Sequence, residues 1–350
     1  MTALAFEVPP ALEAHEPPEA RGLTRDGVRL MVAYRSTGEL VHTTFSLLPA
    51  FLAPGDLVVV NTSGTIPGAL RGTGTLDGTS VVVHLSTRLE DDLWVVEPRR
   101  PVGGTTSKWS GVAGELPPRH ITLTGEGADL ELLERYGHSD RLWLARLHVP
   151  EPLTAWLDAN GKPIRYSYVD GDWPMDAYQN VYATESGSAE MPSAGRPFTP
   201  EIITRLVAKG VGVTPIVLHT GVASIEAGER PQPERVKVPR ATAARVNSTR
   251  SEGGRVIAVG TSVVRALESA VDERSGVLQE LDGWTDLVVT PEGGVHAVDA
   301  LLTGWHEPQA SHLLMLEAIA GRALLDRSYE ASIEQGYLWH EFGDVHLVLP

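Results

Sequence analysis

Leu57-Val58-Val59-Val60 carries no polar residue at any alternate position. A strand with one face in water alternates apolar and polar residues. An unbroken apolar run of this length is what a strand covered on both faces requires. Arg255-Val256-Ile257-Ala258-Val259 repeats the pattern, and Leu287-Val288-Val289-Thr290 predicts a third such strand. Further strands are expected at 29–34, 213–218 and 345–349, with Pro54-Gly55-Asp56 as a turn. Helical spacing falls at 200–209, 241–248, 262–270 and 311–323. Thr199 is placed to cap the first of these helices and Gly210 to stop it. Strands alternating with helices predict an α/β domain, a mostly parallel or mixed sheet covered by helices.

Residues 68–150 follow another rule. Short β-rich runs recur at 80–85, 93–96, 120–123 and 142–147, separated by Gly, Pro, Ser and Thr. Such spacing predicts a small antiparallel β-barrel or sandwich inserted into the α/β domain. Residues 1–67 and 151–350 then form one discontinuous catalytic domain, with 68–150 as the insertion. Val102-Gly103-Gly104 reads as a turn. Residues 1–22, with Pro9, Pro10, Pro17 and Pro18, read as an extended leader.

Composition narrows the chemistry. Cysteine is absent, which excludes disulfides, thiolate metal sites and a cysteine nucleophile. No histidine pair has the spacing of a zinc hydrolase, and no Gly-x-Ser-x-Gly follows a strand; a metal is not expected. No basic and apolar leader and no apolar stretch of roughly 20 residues is visible, so a cytoplasmic, membrane-free protein is expected. The formal net charge is −16. An acidic chain repels phosphate backbones unless its basic side chains gather on one face, which counts against a nucleic-acid partner. Arg235, Lys237, Arg240 and Arg245 are the candidates for such a patch, or for a solvated face.

Four constellations carry possible chemistry. Ala258-Val259-Gly260-Thr261-Ser262 ends a buried strand and starts a helix at once, a place where N–H groups and hydroxyls receive an anion and Arg265 lies one turn in. The same residues are compatible with a plain capped helix bearing a surface Arg265–Glu268 pair. The stretch from Tyr178-Gln179-Asn180-Val181-Tyr182 to Gly195 is dense in small residues, suiting either close approach to a ligand or a surface loop. His219 at a strand exit and His306 before a helix are proton-transfer candidates. A structural role is the alternative for each. Phe342-Gly343-Asp344 reads as a turn.

In order along the chain, these pieces resemble the S-adenosylmethionine:tRNA ribosyltransferase-isomerase family of queuosine synthesis. The matching elements begin with Thr24-Arg25-Asp26, Pro54-Gly55-Asp56 through Asn61, Tyr178-Gln179-x-Val181-Tyr182-Ala183 and Pro192-x-Ala194-Gly195 with Phe198-Thr199. They continue with Leu218-His219-x-Gly221, Ala258-Val259-Gly260-Thr261 with Arg265, Thr303-x-x-His306-x-Pro308 and Gly343-Asp344. The resemblance implies a helix-covered sheet domain with an inserted barrel. It implies S-adenosylmethionine as co-substrate and tRNA as acceptor, the ribosyl part passing to a 7-aminomethyl-7-deazaguanine with release of adenine and methionine. By the same resemblance Gly260, Thr261, Ser262, Arg265, Gln179, Tyr182 and Gly195 would contact the donor. Arg25, Asp26, Asn61, Phe198, Thr199, Thr303 and Asp344 would contact the acceptor, with His219 and His306 moving protons. A monomer is expected.

The departures fall inside the motifs. Thr62-Ser63-Gly64 stands for the family's Asp-Thr-Arg, Arg196-Pro197 for Leu-His, and Ala223-Ser224-Ile225 for Gly-Thr-Phe. Pro231-Gln232-Pro233-Glu234 occupies the region of a His-x-Met-His-x-Glu element, and Leu338-Trp339-His340-Glu341 replaces Arg-Phe-Phe-Ser. Polar groups in one site act as a unit. A divergent paralogue that binds S-adenosylmethionine but serves a non-tRNA acceptor, or only binds, is therefore the alternative.

Overall fold

A computed structural model describes residues 6–109, 115–137, 139–150, 152–222, 232–308 and 310–350. Ala223-Ser224-Ile225 and Pro231 lie outside the described residues, as do the first five residues of the leader. The described chain opens with β1 (Arg29–Tyr34), β2 (Leu40–Thr44), α1 (Leu48–Phe51), β3 (Leu57–Asn61) and β4 (Ser63–Thr65). Seven strands follow: β5 (Ala69–Gly74), β6 (Ser80–Arg88), β7 (Leu93–Val102), β8 (Thr105–Lys108), β9 (His120–Leu123), β10 (Asp129–Arg135) and β11 (Trp143–His148). Next come α2 (Leu153–Asn160), β12 (Glu185–Ser188), α3 (Pro200–Ala208), β13 (Gly212–Leu218), β14 (Glu234–Val238), α4 (Arg240–Ser251) and β15 (Val256–Val259). The chain ends with α5 (Thr261–Ser269), β16 (Leu281–Thr285), β17 (Ala300–Gly304), α6 (His312–Ala320), α7 (Arg322–Glu334) and β18 (Val345–Leu349).

Nine strands form one mixed sheet in the order β16-β14-β13-β3-β15-β17-β18-β1-β2. β3 sits inside it, parallel to β13 on one side and to β15 on the other. Its unbroken apolar run has a direct cause. Leu57 and Val59 enter a core covered by α4, α5, α6 and α7, while Val58 and Val60 enter a second core under α3. β15 divides in the same way, Val256 and Ala258 to one face and Ile257 and Val259 to the other. Thr199 caps α3, its side chain accepting from the Ile202 N–H at 3.2 Å.

The seven strands from Ala69 to His148 form a separate antiparallel sheet in the order β11-β10-β9-β5-β6-β7-β8. β11 also pairs with β7, so six of them close into a barrel with β8 appended. Alternate residues such as Val81, Val83 and Leu85 fill its interior. Gly103 and Gly104, both at positive φ, make the β7–β8 turn. The α/β fold with an inserted β-barrel is thus present.

Three local expectations need correction. Residues 287–290 are irregular chain, and the ladder partner of β14 is Leu281–Thr285 instead. Val289 is buried against the helix-covered core without pairing, while Val288 is exposed, so the apolar run reflects the packing of one residue and not a strand. The helix expected at 311–323 is two, because Gly321 at φ 76° and ψ 148° breaks it between α6 and α7. Arg265 does not pair with Glu268. That carboxylate instead accepts from the backbone N–H groups of His296 and Ala297, both at 2.8 Å.

Candidate active site

Four neighbouring strands, β13, β3, β15 and β17, run parallel, so their carboxyl ends deliver successive loops to one edge of the sheet. That edge is where open α/β sheets collect ligands. The loops are His219-Thr220-Gly221, Asn61-Thr62-Ser63, Gly260-Thr261-Ser262 and Thr303 to His306. Asn61 ties three of them together. Its Nδ2 donates to the Leu218 carbonyl at 2.8 Å and to Ser262 Oγ at 3.2 Å, and its Oδ1 accepts from the N–H groups of Leu218 and Ser63. With both ends satisfied and 1% exposed, Asn61 is a fixed strut.

A cleft of about 1580 Å³ opens between this edge and the barrel wall. Gly260, Thr261, Ser262, Arg265, Thr303 and His306 all line it. Gly260 has φ 92° and ψ 155°, a conformation only glycine adopts easily, and it turns the chain from β15 straight into α5. The first turn of α5 therefore opens on the cleft, with the N–H groups and positive dipole end that favour an anion. Arg265 is engaged within the protein. It pairs with the Glu234 carboxylate and donates to the carbonyls of Leu287 at 3.1 Å and Thr285 at 3.3 Å. Glu234 in turn accepts from the Gly221 N–H at 2.9 Å, so the pair locks the β13 exit loop to α5.

His306 Nε2 lies 2.9 Å from Thr303 Oγ1, and its backbone N–H donates to the Tyr329 hydroxyl at 3.3 Å. Its ring stacks on His312 with centroids 4.6 Å apart at 16°. Burial first, then the neighbouring His312 and His340, hold the His306 pKa well below the ordinary histidine value. The imidazole is consequently neutral near pH 7. His219 stands one residue outside the lining. Its Nδ1 lies 2.7 Å from Ser63 Oγ, which reaches Ser188 Oγ at 2.6 Å. Burial lowers its pKa too. Gly187 faces the ring so closely that a Cβ there would fall 2.6 Å from it.

The other residues singled out by the sequence do not line the cleft and are engaged within the protein. Gln179 bonds the Thr65 backbone twice, at 3.0 and 2.7 Å, and Arg25 donates to the carbonyls of Gln179 and Asp176. Asp26 accepts from Thr24 at 2.7 Å. Tyr182 packs edge-on against Phe198 and closes over Gly195, where any side chain would strike its hydroxyl. Phe198 is buried against Phe45, Thr199 caps α3, and Asp344 accepts from the N–H groups of Arg29 and Leu338.

Several cleft residues escaped the sequence reading. Tyr166, Tyr168, Glu190, His312, His340 and Glu341 line it from the segments after the barrel and before β18. The barrel contributes Arg99 and Arg141, two buried guanidiniums flanking the buried Glu97 at 2.5 and 3.1 Å. His340 and Glu341 had a signal, since they replace family residues. The barrel arginines had none, because only strand pairing brings Glu97, Arg99 and Arg141 together. Among the described residues, no group of three or more His, Asp or Glu is arranged to hold a metal ion, and no helix is long and apolar enough to cross a membrane.

Comparison with known proteins fits this geometry. The profile of the family described as queuosine biosynthesis protein matches residues 1–348. The S-adenosylmethionine:tRNA ribosyltransferase-isomerases of Symbiobacterium thermophilum and Moorella thermoacetica are each 35% identical, over 98% of this chain and 98% of theirs. The crystal structure of S-adenosylmethionine tRNA ribosyltransferase from Thermotoga maritima is similar with a TM-score of 0.55 and 29% identity, covering 98% of this chain and 99% of that one. Family profile, full-length relatives and shared architecture agree that this chain belongs to the queuosine biosynthesis family of ribosyltransferase-isomerase enzymes.

Proposed function

We propose that this enzyme transfers and isomerises the ribosyl part of S-adenosylmethionine onto the aminomethyl group of a 7-deazaguanine in tRNA, forming epoxyqueuosine and releasing adenine and methionine. The observation that carries the reading is the convergence, in one cleft, of an anion-receiving helix start at Gly260-Thr261-Ser262 and a neutral histidine at His306. The first suits the methionine carboxylate. The second suits the opening step, because a sulfonium acidifies the adjacent 5′ carbon and a positioned base removes that proton. Arg265 acts by holding Glu234 and the β13 exit loop, which keeps the cleft wall fixed. The test is nucleoside analysis by mass spectrometry of tRNA bearing the aminomethyl base, treated with enzyme and S-adenosylmethionine. Appearance of epoxyqueuosine is expected, and unmodified tRNA after complete incubation would overturn the reading.

One observation favours a second reading, the same donor with another acceptor. The candidate basic patch is largely occupied by the protein itself: Arg235 pairs with Asp282, Lys237 lies 3.8 Å from Glu185, and Arg245 donates to the Val213 carbonyl. With the chain at −16 overall, the pairing of Arg235 and Lys237 with carboxylates reduces the charge this face offers a phosphate backbone. Adenine release that needs no tRNA would select this alternative.

A further inference from the structure

Three cleft rings are given no direct role in the steps above, although His340 helps to lower the His306 pKa. Tyr166 and Tyr168 stack with centroids 5.9 Å apart at 22°, and Tyr168 and His340 stack at 3.9 Å and 14°. All three line the cleft, none fully buried, with the His340 side chain 13% exposed. Their rims carry carboxylates. The Tyr166 hydroxyl donates to Glu190, and the Tyr168 hydroxyl donates to Glu341 at 2.7 Å. His340 Nε2 lies 3.6 Å from Glu307 and 4.0 Å from Glu13.

His340 is held there against its backbone preference. Its φ of 72° makes it the one non-glycine residue at positive φ among the described residues. Such strain persists where the surroundings over-determine it, and such positions cluster at ligand sites.

Resting on the reading of the cleft as a donor and acceptor site, we infer that the Tyr166–Tyr168–His340 stack is a binding platform for a flat, amino-bearing nitrogen heterocycle. Parallel rings offer a π-face that any purine-like base can extend. Carboxylates at the rims accept from ring N–H and amino groups and repel carboxylate or phosphate. Anionic parts of the substrates are left to the α5 start. Two pieces have the required chemistry: the adenine of the donor and the aminomethyl deazaguanine of the acceptor.

The test is isothermal titration calorimetry of the full chain with three probes: S-adenosylmethionine, adenine and free 7-aminomethyl-7-deazaguanine. His340→Asn removes the ring while keeping a residue that tolerates the left-handed backbone. It is expected to weaken at least one probe by roughly tenfold, the order of one lost base stack. Tyr166→Leu should do the same, and covers the case in which His340→Asn fails to fold. A loss confined to S-adenosylmethionine and adenine assigns the platform to the donor; a loss confined to the deazaguanine assigns it to the acceptor. Wild-type affinity for all probes in a variant whose melting temperature is unchanged would overturn the platform, as would no probe binding to the wild type. Binding needs no turnover. Retained platform binding without product therefore overturns the reaction proposed above and leaves the platform standing.

Discussion

His306 illustrates how a residue acquires reactivity from its setting. Its sequence neighbourhood, Thr303-x-x-His306-x-Pro308, marked it as a candidate, but its neutrality comes from its surroundings in the fold. Burial disfavours its charged form, and His312, stacked on its ring, and His340 add to this. His306→Asn is expected to lower kcat by roughly 10²–10⁴-fold while leaving S-adenosylmethionine affinity close to wild type, because general base catalysis is lost and ground-state binding is not. Steady-state kinetics beside calorimetry decides this. The depressed pKa also sets a sign: the base remains unprotonated as pH falls from 7.5 to 6.5, so wild-type turnover should stay flat across that window. A fall centred on pH 6.5 would place an unperturbed histidine in the role. Glu234 is the opposite case. In sequence it was the end of a missing element, and only the fold reveals it holding Arg265 and Gly221.

At the scale of elements, what could be read in advance follows from local rules. The two-faced burial of β3 and β15 left its mark as unbroken apolar runs, and the Thr199 cap was visible because its hydroxyl acts on the next turn of the same helix. Thr199→Ala should destabilise the protein by about 1 kcal/mol, read from urea denaturation, without altering the cleft. A neutral result would mean that the 3.2 Å bond contributes nothing net. The failures have equally local causes. Val289 is apolar because it packs, not because it pairs, and residues 287–290 therefore imitated a strand. β16 at the sheet edge and β14 beside it are only partly buried, giving a weaker pattern than their central neighbours. Gly321 ended α6 inside a run that otherwise reads as one helix.

Taken whole, the molecule buries several histidines that its mechanism does not need. His346 has 0% exposure, stacks on Trp305 at 4.9 Å and 9°, and neither ring nitrogen has a hydrogen-bond partner among the described residues. Burial pushes it down to about 3, and His84, inside the barrel wall beside Arg99 and Arg141, is also held at about 3. A histidine whose pKa is lower folded than unfolded binds fewer protons in the native state between the two values. Stability therefore falls as pH drops below about 6.5 and continues to fall toward the folded value. Thermal melts should show this loss between pH 6.5 and 4, with a shallower slope in His346→Phe, which keeps the stacked ring and removes the titrating group. Equal slopes in the two proteins would mean that His346 is not buried uncharged.

The cleft itself exists only at this scale, since its walls come from the barrel, four parallel strand ends and the segment before β18. Its chemistry is tested most directly by incubating the enzyme with S-adenosylmethionine, with and without tRNA bearing the aminomethyl deazaguanine, and quantifying adenine and methionine by mass spectrometry. Equimolar release of both, dependent on that tRNA, is expected. Absence of release in the presence of that tRNA, with S-adenosylmethionine still bound, would contradict the proposed reaction.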